Sequence, residues 1–282
     1  MQNALEGLYH RCPVREEIAG SLRSISKITA QTLYECHKRF YHPSNLILCV
    51  CGNITPAQVC AVADRMLPAA PAVPKTVRKG FREPAAARAQ YVEARMPVAK
   101  PLFYLATKDV VLPADPLERL RRDVAMSLLS DVLFSRSSPF YSELFEEGLL
   151  TPSFSHGYSG TDRFAMHSIC GESPDPQEVR RRVTLYLEKA QKEGLDPAGF
   201  ERSRRCLIAD EIRAYDSTEE IGYNLLSFAL EKVDPFAYLP LLQSVTPEEC
   251  RALIPQVFVP ARTCLSVVLP SNAQNNQGGT VL

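Results

Sequence analysis

The stretch ITAQTLYECHKRFYHPSNLILCVCG at 28–52 has a counterpart at 245–269, VTPEECRALIPQVFVPARTCLSVVL. Thr29 and Pro43 stand fourteen positions apart, and so do Thr246 and Pro260. Each copy reads as a capped helix, a stop and a strand. A threonine side chain accepts a hydrogen bond from the free N–H groups of a first helical turn. The residue before a proline avoids the α region, so His42-Pro43 ends the first helix. The run NLILCVCG is apolar on both faces and predicts a buried strand. The doubled unit points to two homologous α+β domains, the first without its front. The competing explanation is a coincidence of two helix–turn–strand units.

Other signals fill in the order of elements. Residues 1–11 read as the end of a helix, and 12–27 as a long loop. Thr55-Pro56 opens a helix with threonine as cap and proline in the first position. Prolines at 68, 71, 74, 84, 97 and 101 break the pattern, with seven basic residues against two acidic ones. Residues 68–84 are expected to be an exposed Pro/Ala-rich linker. Residues 89–111 supply strand material. DPLERLRRDVAMSLLSDVLF predicts a helix with Leu117, Leu120, Val124, Leu128 and Val132 on one stripe. SSPFYSELFEEGLL predicts a shorter helix, capped by Ser137 or Ser138 and ending near Gly148. SFSHGYS and FAMHSICGE predict a strand pair. Three helices follow, the first stopping at Gly194 and the third capped by Ser217 or Thr218. The domains expected are 1–67, the end of the first, and 85–270, the second. The polar tail 271–282 is expected to be disordered.

Charge and composition exclude some functions. Lys plus Arg equals Asp plus Glu, 32 each, so no overall positive field favours nucleic acid. No apolar run approaches the ~20 residues that span a bilayer. The first residues lack the basic-then-apolar plan of a signal peptide, so a cytoplasmic protein is expected. Nine cysteines, an odd number without a CxxC pair, are expected to be free thiols. Cys49 and Cys51 would share one strand face, buried and inert.

A search for chemistry finds none. Histidines stand at 10, 37, 42, 156 and 167, and no HxxEH or HxxH pair occurs. Two imidazoles therefore never share a helical face towards zinc. His37 is expected to be a helix-face residue, and His42 to interact with terminal carbonyls. His156 and His167 would face each other across a hairpin, but without a third ligand. There is no GxSxG, P-loop or GxGxxG motif. The acidic pairs Glu16-Glu17, Glu146-Glu147, Glu219-Glu220 and Glu248-Glu249 are expected to be solvated. No residue is singled out as catalytic or as a metal ligand, and substrate-binding residues are unknown.

On SISKIT, FYHPSNLILCVCGNI and SSPFYSELFEEGLL, the chain resembles the M16 (insulinase-like, pitrilysin-type) zinc metallopeptidases over most of 6–270. The nearest likeness is to a bacterial cytosolic branch of processing peptidases. The resemblance implies homologous sheet-and-helix domains of the LuxS/mitochondrial-processing-peptidase type, arranged in halves that enclose a peptide chamber. It implies zinc in the complete family member, held by two histidines of HxxEH and a later glutamate, with the motif's glutamate as base. Those ligands precede the region that matches Gly7–Thr29, so no residue here takes their places. The family's substrate-holding arginine and tyrosine, in a pattern like ELREEGLAY, correspond to Phe145 and Thr151 in ELFEEGLLT. The expected protein is an M16-like chain inactive by itself, without zinc and of poor stability alone. The resemblance implies a peptide or unfolded segment as substrate and pairing with another M16-like chain or a homodimer. The alternative is a non-catalytic scaffold subunit.

Overall fold

A computed structural model describes residues 1–67 and 77–271; most of the expected linker and all but one residue of the expected tail lie outside the described residues. The chain divides into two compact units: Met1–Glu16 with Arg82–Ile208 and Tyr238–Leu282, and Glu17–Phe81 with Ala209–Ala237. These limits differ from the expected 1–67 and 85–270.

The first unit is built on one five-stranded sheet. Its strands are β1 (Tyr91–Met96), β2 (Leu102–Asp109), β3 (Ser155–Gly160), β4 (Ala165–Glu172) and β5 (Thr263–Pro270), in the order β1-β5-β2-β4-β3. Only the β1–β5 pair is parallel. The helices are α1 (Gln2–Leu8), α5 (Pro116–Phe134), α6 (Pro139–Glu146), α7 (Pro176–Glu193), α10 (Tyr238–Ser244), α11 (Pro247–Val257) and the larger part of α8 (Pro197–Ala214).

Side chains alternate across a strand, and the two sheet faces have different covers. Phe103, Leu105, Leu265 and Val267 join Val124, Leu128, Val183, Leu187, Leu253 and Ile254 in the core between the sheet and α5, α7 and α11. Fully burying a side chain of this kind contributes about 1.5–3 kcal/mol, so this layer carries the unit. The predicted α5 stripe is mostly correct. Val124, Leu128 and Val132 are buried, but Leu117 is exposed while Arg119 is buried, its Nη1 donating to the Pro113 carbonyl.

The opposite face is covered by α1. Gly7 sits so close that a Cβ there would lie 2.5 Å from Cys264 Sγ. The Tyr9 hydroxyl donates to the Ala165 carbonyl at 3.0 Å. Glu83 accepts from the backbone N–H groups of His10, Arg11 and Cys12 at 2.8, 2.8 and 2.9 Å. Lys108 Nζ donates to Glu83 at 2.8 Å and to the Pro84 and Ala86 carbonyls. These contacts join Met1–Glu16 to the sheet expected to belong to the second domain. They also tie down Glu83 and Pro84, the end of the expected linker.

The second unit holds α2 (Leu22–Ile25), α3 (Ala30–Phe40), α4 (Pro56–Met66), α9 (Thr218–Glu231) and the end of α8. Three of these helices are well signalled, since Thr29, Thr55 and Ser217 each accept a capping bond, whereas α2 lies within 12–27, expected to be a loop. None of its described residues is buried. NLILCVCG, expected to be a buried strand, is exposed except at Cys49 and Cys51 and joins no sheet. A strand is held by neighbours, and none is present among the described residues. Cys49 and Cys51 do share a side, both against Gly222, but are half-buried rather than buried.

Candidate functional site

A buried polar constellation lies in the first unit, where α5 meets β3 and β4. His156 and His167 come from these strands, two positions out of register, since His156 is opposite Ile169 and His167 opposite Tyr158. They do not face each other directly. Ser130 of α5 joins them, its Oγ 2.9 Å from His156 Nδ1 and 2.8 Å from His167 Nε2. Burial pushes the His167 imidazole down to about 3, and His156 is lowered for the same reason. Both rings are thus neutral near pH 7. One hydroxyl has one proton, so one ring offers an N–H to Ser130 and the other a bare nitrogen.

Beside this cluster lies a cavity of about 230 Å3 between the sheet, α7 and α11. Leu105, Ile169, Val183 and Leu187 form its apolar walls, and Thr107, Thr263 and His167 its polar floor. Thr263 Oγ1 donates to the Val259 carbonyl at 3.2 Å and lies 3.0 Å from Thr107 Oγ1. The Thr107 hydroxyl therefore supplies the proton of the threonine pair. Its lone pairs remain as acceptors.

A second network closes the end of β2. Asp109 accepts two bonds from Arg122, at 2.7 and 3.0 Å, one from the Tyr158 hydroxyl at 2.8 Å and one from the Val111 N–H at 2.9 Å. Burial pushes the Tyr158 phenol up, reinforced by the Asp109 charge. A carboxylate with all these donors is fully engaged and is not free to serve as a base.

Among the described residues no group of three or more His, Cys, Asp or Glu side chains could hold a metal ion. The two linked histidines have a serine between them rather than a third ligand, and hydrogen bonds occupy the nitrogens they would turn to a metal. The residues present do not fit the zinc centre that the resemblance implies.

The other singled-out residues lie apart. His37 stacks on Tyr41 at 5.1 Å. His42, expected to meet terminal carbonyls, instead accepts from the Ser44 N–H and starts the next turn, because Pro43 redirects the chain. His10 Nε2 is buried without a partner among the described residues. Two of the acidic pairs expected to be solvated are engaged: Glu249 takes a bidentate bond from Arg121 at 2.7 and 2.8 Å, and Glu147 pairs with Arg182. Phe145 lies on α6, 44% exposed and stacked on Tyr141, so no cation stands there. Thr151 Oγ1 lies 2.7 Å from Ser153 Oγ. Sequence reasoning missed Ser130, Glu83 and Asp109. The available signal was Lys108-Asp109 inside an apolar strand, since buried charges require partners.

This sheet-and-helix unit carries a buried serine-linked histidine pair and, among the described residues, no metal-binding cluster. Residues 27–207 match the family described as the peptidase M16 inactive domain, and the chain belongs to that family. It is 28% identical over 270 residues to YmfH of Bacillus subtilis, described as an uncharacterized zinc protease, covering 95% of this chain and 63% of that protein. A crystal structure of an M16-like peptidase from Alicyclobacillus acidocaldarius superposes with a TM-score of 0.88 at 27% identity, covering 96% of this chain and 65% of that one. The peptidase M16 inactive domain from Pseudomonas fluorescens gives 0.79 at 19% identity, with 97% and 65% covered. The chain thus spans less than two thirds of the length of these relatives.

Proposed function

We propose that this chain is the non-hydrolytic part of a cytoplasmic M16-type zinc metallopeptidase. It walls a chamber that holds a peptide or unfolded segment. A zinc-bearing M16-like sequence supplies HxxEH and the water-activating glutamate. The observation that carries this reading is the match to the M16 inactive domain across 27–207 in a sequence of 282 residues without HxxEH. Binding a peptide without cleaving it requires shape and donors only, whereas cleavage requires a metal-activated water or an equivalent nucleophile. Ser130, the one hydroxyl between two imidazoles, is 1% exposed and cannot reach a substrate.

The test is incubation of the purified chain with fluorogenic unstructured peptides, with and without added zinc. No turnover is expected. Chelator-sensitive turnover that scales with chain concentration would overturn the proposal. The scaffold reading draws on Phe145 and Thr151, which replace both substrate-holding groups of the resemblance. Fluorescence anisotropy of a labelled unfolded peptide separates the two, since a chamber wall binds it and a scaffold does not.

A further inference from the structure

The cavity of about 230 Å3 between the sheet, α7 and α11 is floored by two adjacent rows of side chains. Residues opposite one another on paired strands share a face, and so do residues two apart on one strand. Leu265, Leu105 and Ile169 form one row across β5, β2 and β4. Thr263, Thr107 and His167 form the next. All six side chains are buried. An apolar floor thus passes, within one step of the pleat, into a polar one.

The polar row keeps one unused acceptor. Thr263 gives its proton to the Val259 carbonyl, Thr107 gives its own to Thr263, and His167 Nε2 meets Ser130. Thr107 Oγ1 accepts from no group among the described residues, although it is 4% exposed and lines the cavity. A hydroxyl oxygen has two lone pairs, and a buried acceptor favours whatever brings it a donor. The walls around it are apolar: Val183 and Leu187 of α7, and Phe258, whose ring stands edge-on to His167 at 4.9 Å. Helix α7 also lines the cavity with half-buried Arg180 and exposed Glu188, so the charges there sum to zero. A cavity of about 150 Å3 holds a benzene ring, and drug-sized sites begin near ~300 Å3. This one therefore suits a single ring.

We propose that this cavity is a binding site for a small, neutral, single-ring phenol, its ring between Leu105, Ile169, Val183 and Leu187 and its hydroxyl donating to Thr107 Oγ1. A ring without a hydroxyl would leave that acceptor facing hydrocarbon. A flexible alkyl alcohol would lose more conformational freedom on binding than a rigid ring. An anion or a cation would gain from one of Arg180 and Glu188 and be repelled by the other. The site lies wholly within the first unit. It does not depend on the chamber-wall reading, and a failure of peptide binding would leave it standing.

The experiment titrates the intact 282-residue chain with 4-methylphenol and with toluene, which differ by the hydroxyl alone, and reads calorimetric binding. Expected is one saturable site, with 4-methylphenol held ~fivefold more tightly than toluene, the worth of one net hydrogen bond. A purely apolar cavity would prefer toluene, the more hydrophobic of the two. Thr107→Val removes the acceptor and is expected to reverse the order. Leu187→Phe fills the space and is expected to abolish binding of both. Urea unfolding of the first unit shows that each variant is folded, and the comparison of the two probes on the unaltered chain needs no variant. Three results overturn the proposal: no saturable binding of 4-methylphenol, toluene bound as tightly or more tightly by the unaltered chain, or binding that survives in folded Leu187→Phe.

Discussion

Glu83 organises the underside of the first unit with a single carboxylate. Burial works to raise its pKa, but the N–H groups of His10, Arg11 and Cys12 and the Lys108 ammonium outweigh that and hold it at about 2, below its ordinary 4.5. Its contribution to stability is complete above pH 4.5 and is lost as pH falls towards 2. Glu83→Gln leaves Lys108, 2% exposed, without its anion, and is expected to cost about 3 kcal/mol in urea unfolding. His167 acts in a higher window. Its pKa falls from 6.5 to about 3 through burial, so the unfolded chain binds the proton first. That contribution is whole above pH 6.5 and declines from there down to 3. A plot of urea midpoint against pH should fall less steeply over this range in His167→Gln, and equal slopes would refute the assignment. Glu83 and Ser130 did not stand out from the sequence, whereas His167 was singled out only as the partner of His156. A lone glutamate in a proline-rich stretch has no periodicity, and a serine on a helix does not announce which histidines it will meet.

Helices were legible because their signals are local. The expected caps at Thr29, Thr55, Ser138, Ser217 and Thr246 each accept a backbone bond, and Asp115 and Asp175 do the same. Gly194, with φ 93°, ends α7 where expected. Helix α10 was not foreseen, for YLPLLQS is short and contains a proline. The matched caps provide a direct contrast in packing. Thr246→Ala should lower the stability of the first unit by about 1 kcal/mol, because α11 is part of its core. Thr29→Ala should leave that same transition within about 0.5 kcal/mol, because α3 buries nothing. Paired denaturant melts check both, and equal losses would contradict the division.

At the scale of the whole molecule, the two units differ in what they bury. The core of the first is continuous from α5 to β5, whereas the second buries none of its described residues. A dye that fluoresces on apolar surface should therefore bind the native chain. Unfolding should proceed in two steps, with the second unit losing its helices first. A single transition without dye binding would contradict this. Elemental analysis of the purified chain should find no stoichiometric zinc, and one tightly held ion per chain would reopen the search for ligands.

The sequence by itself determined the longer helices, the α+β class, the doubled unit and the resemblance to the M16 family, because periodicity, caps and proline stops act within a few residues of one another. Only the tertiary structure decided that residues 1–16 lie on the sheet with 82–208, that Ser130 links two histidines, and that one copy of the repeat becomes a central strand while the other stays bare. Each of these depends on which distant residues supply a neighbour, and Leu48 and Leu265, alike in local sequence setting, differ only in that.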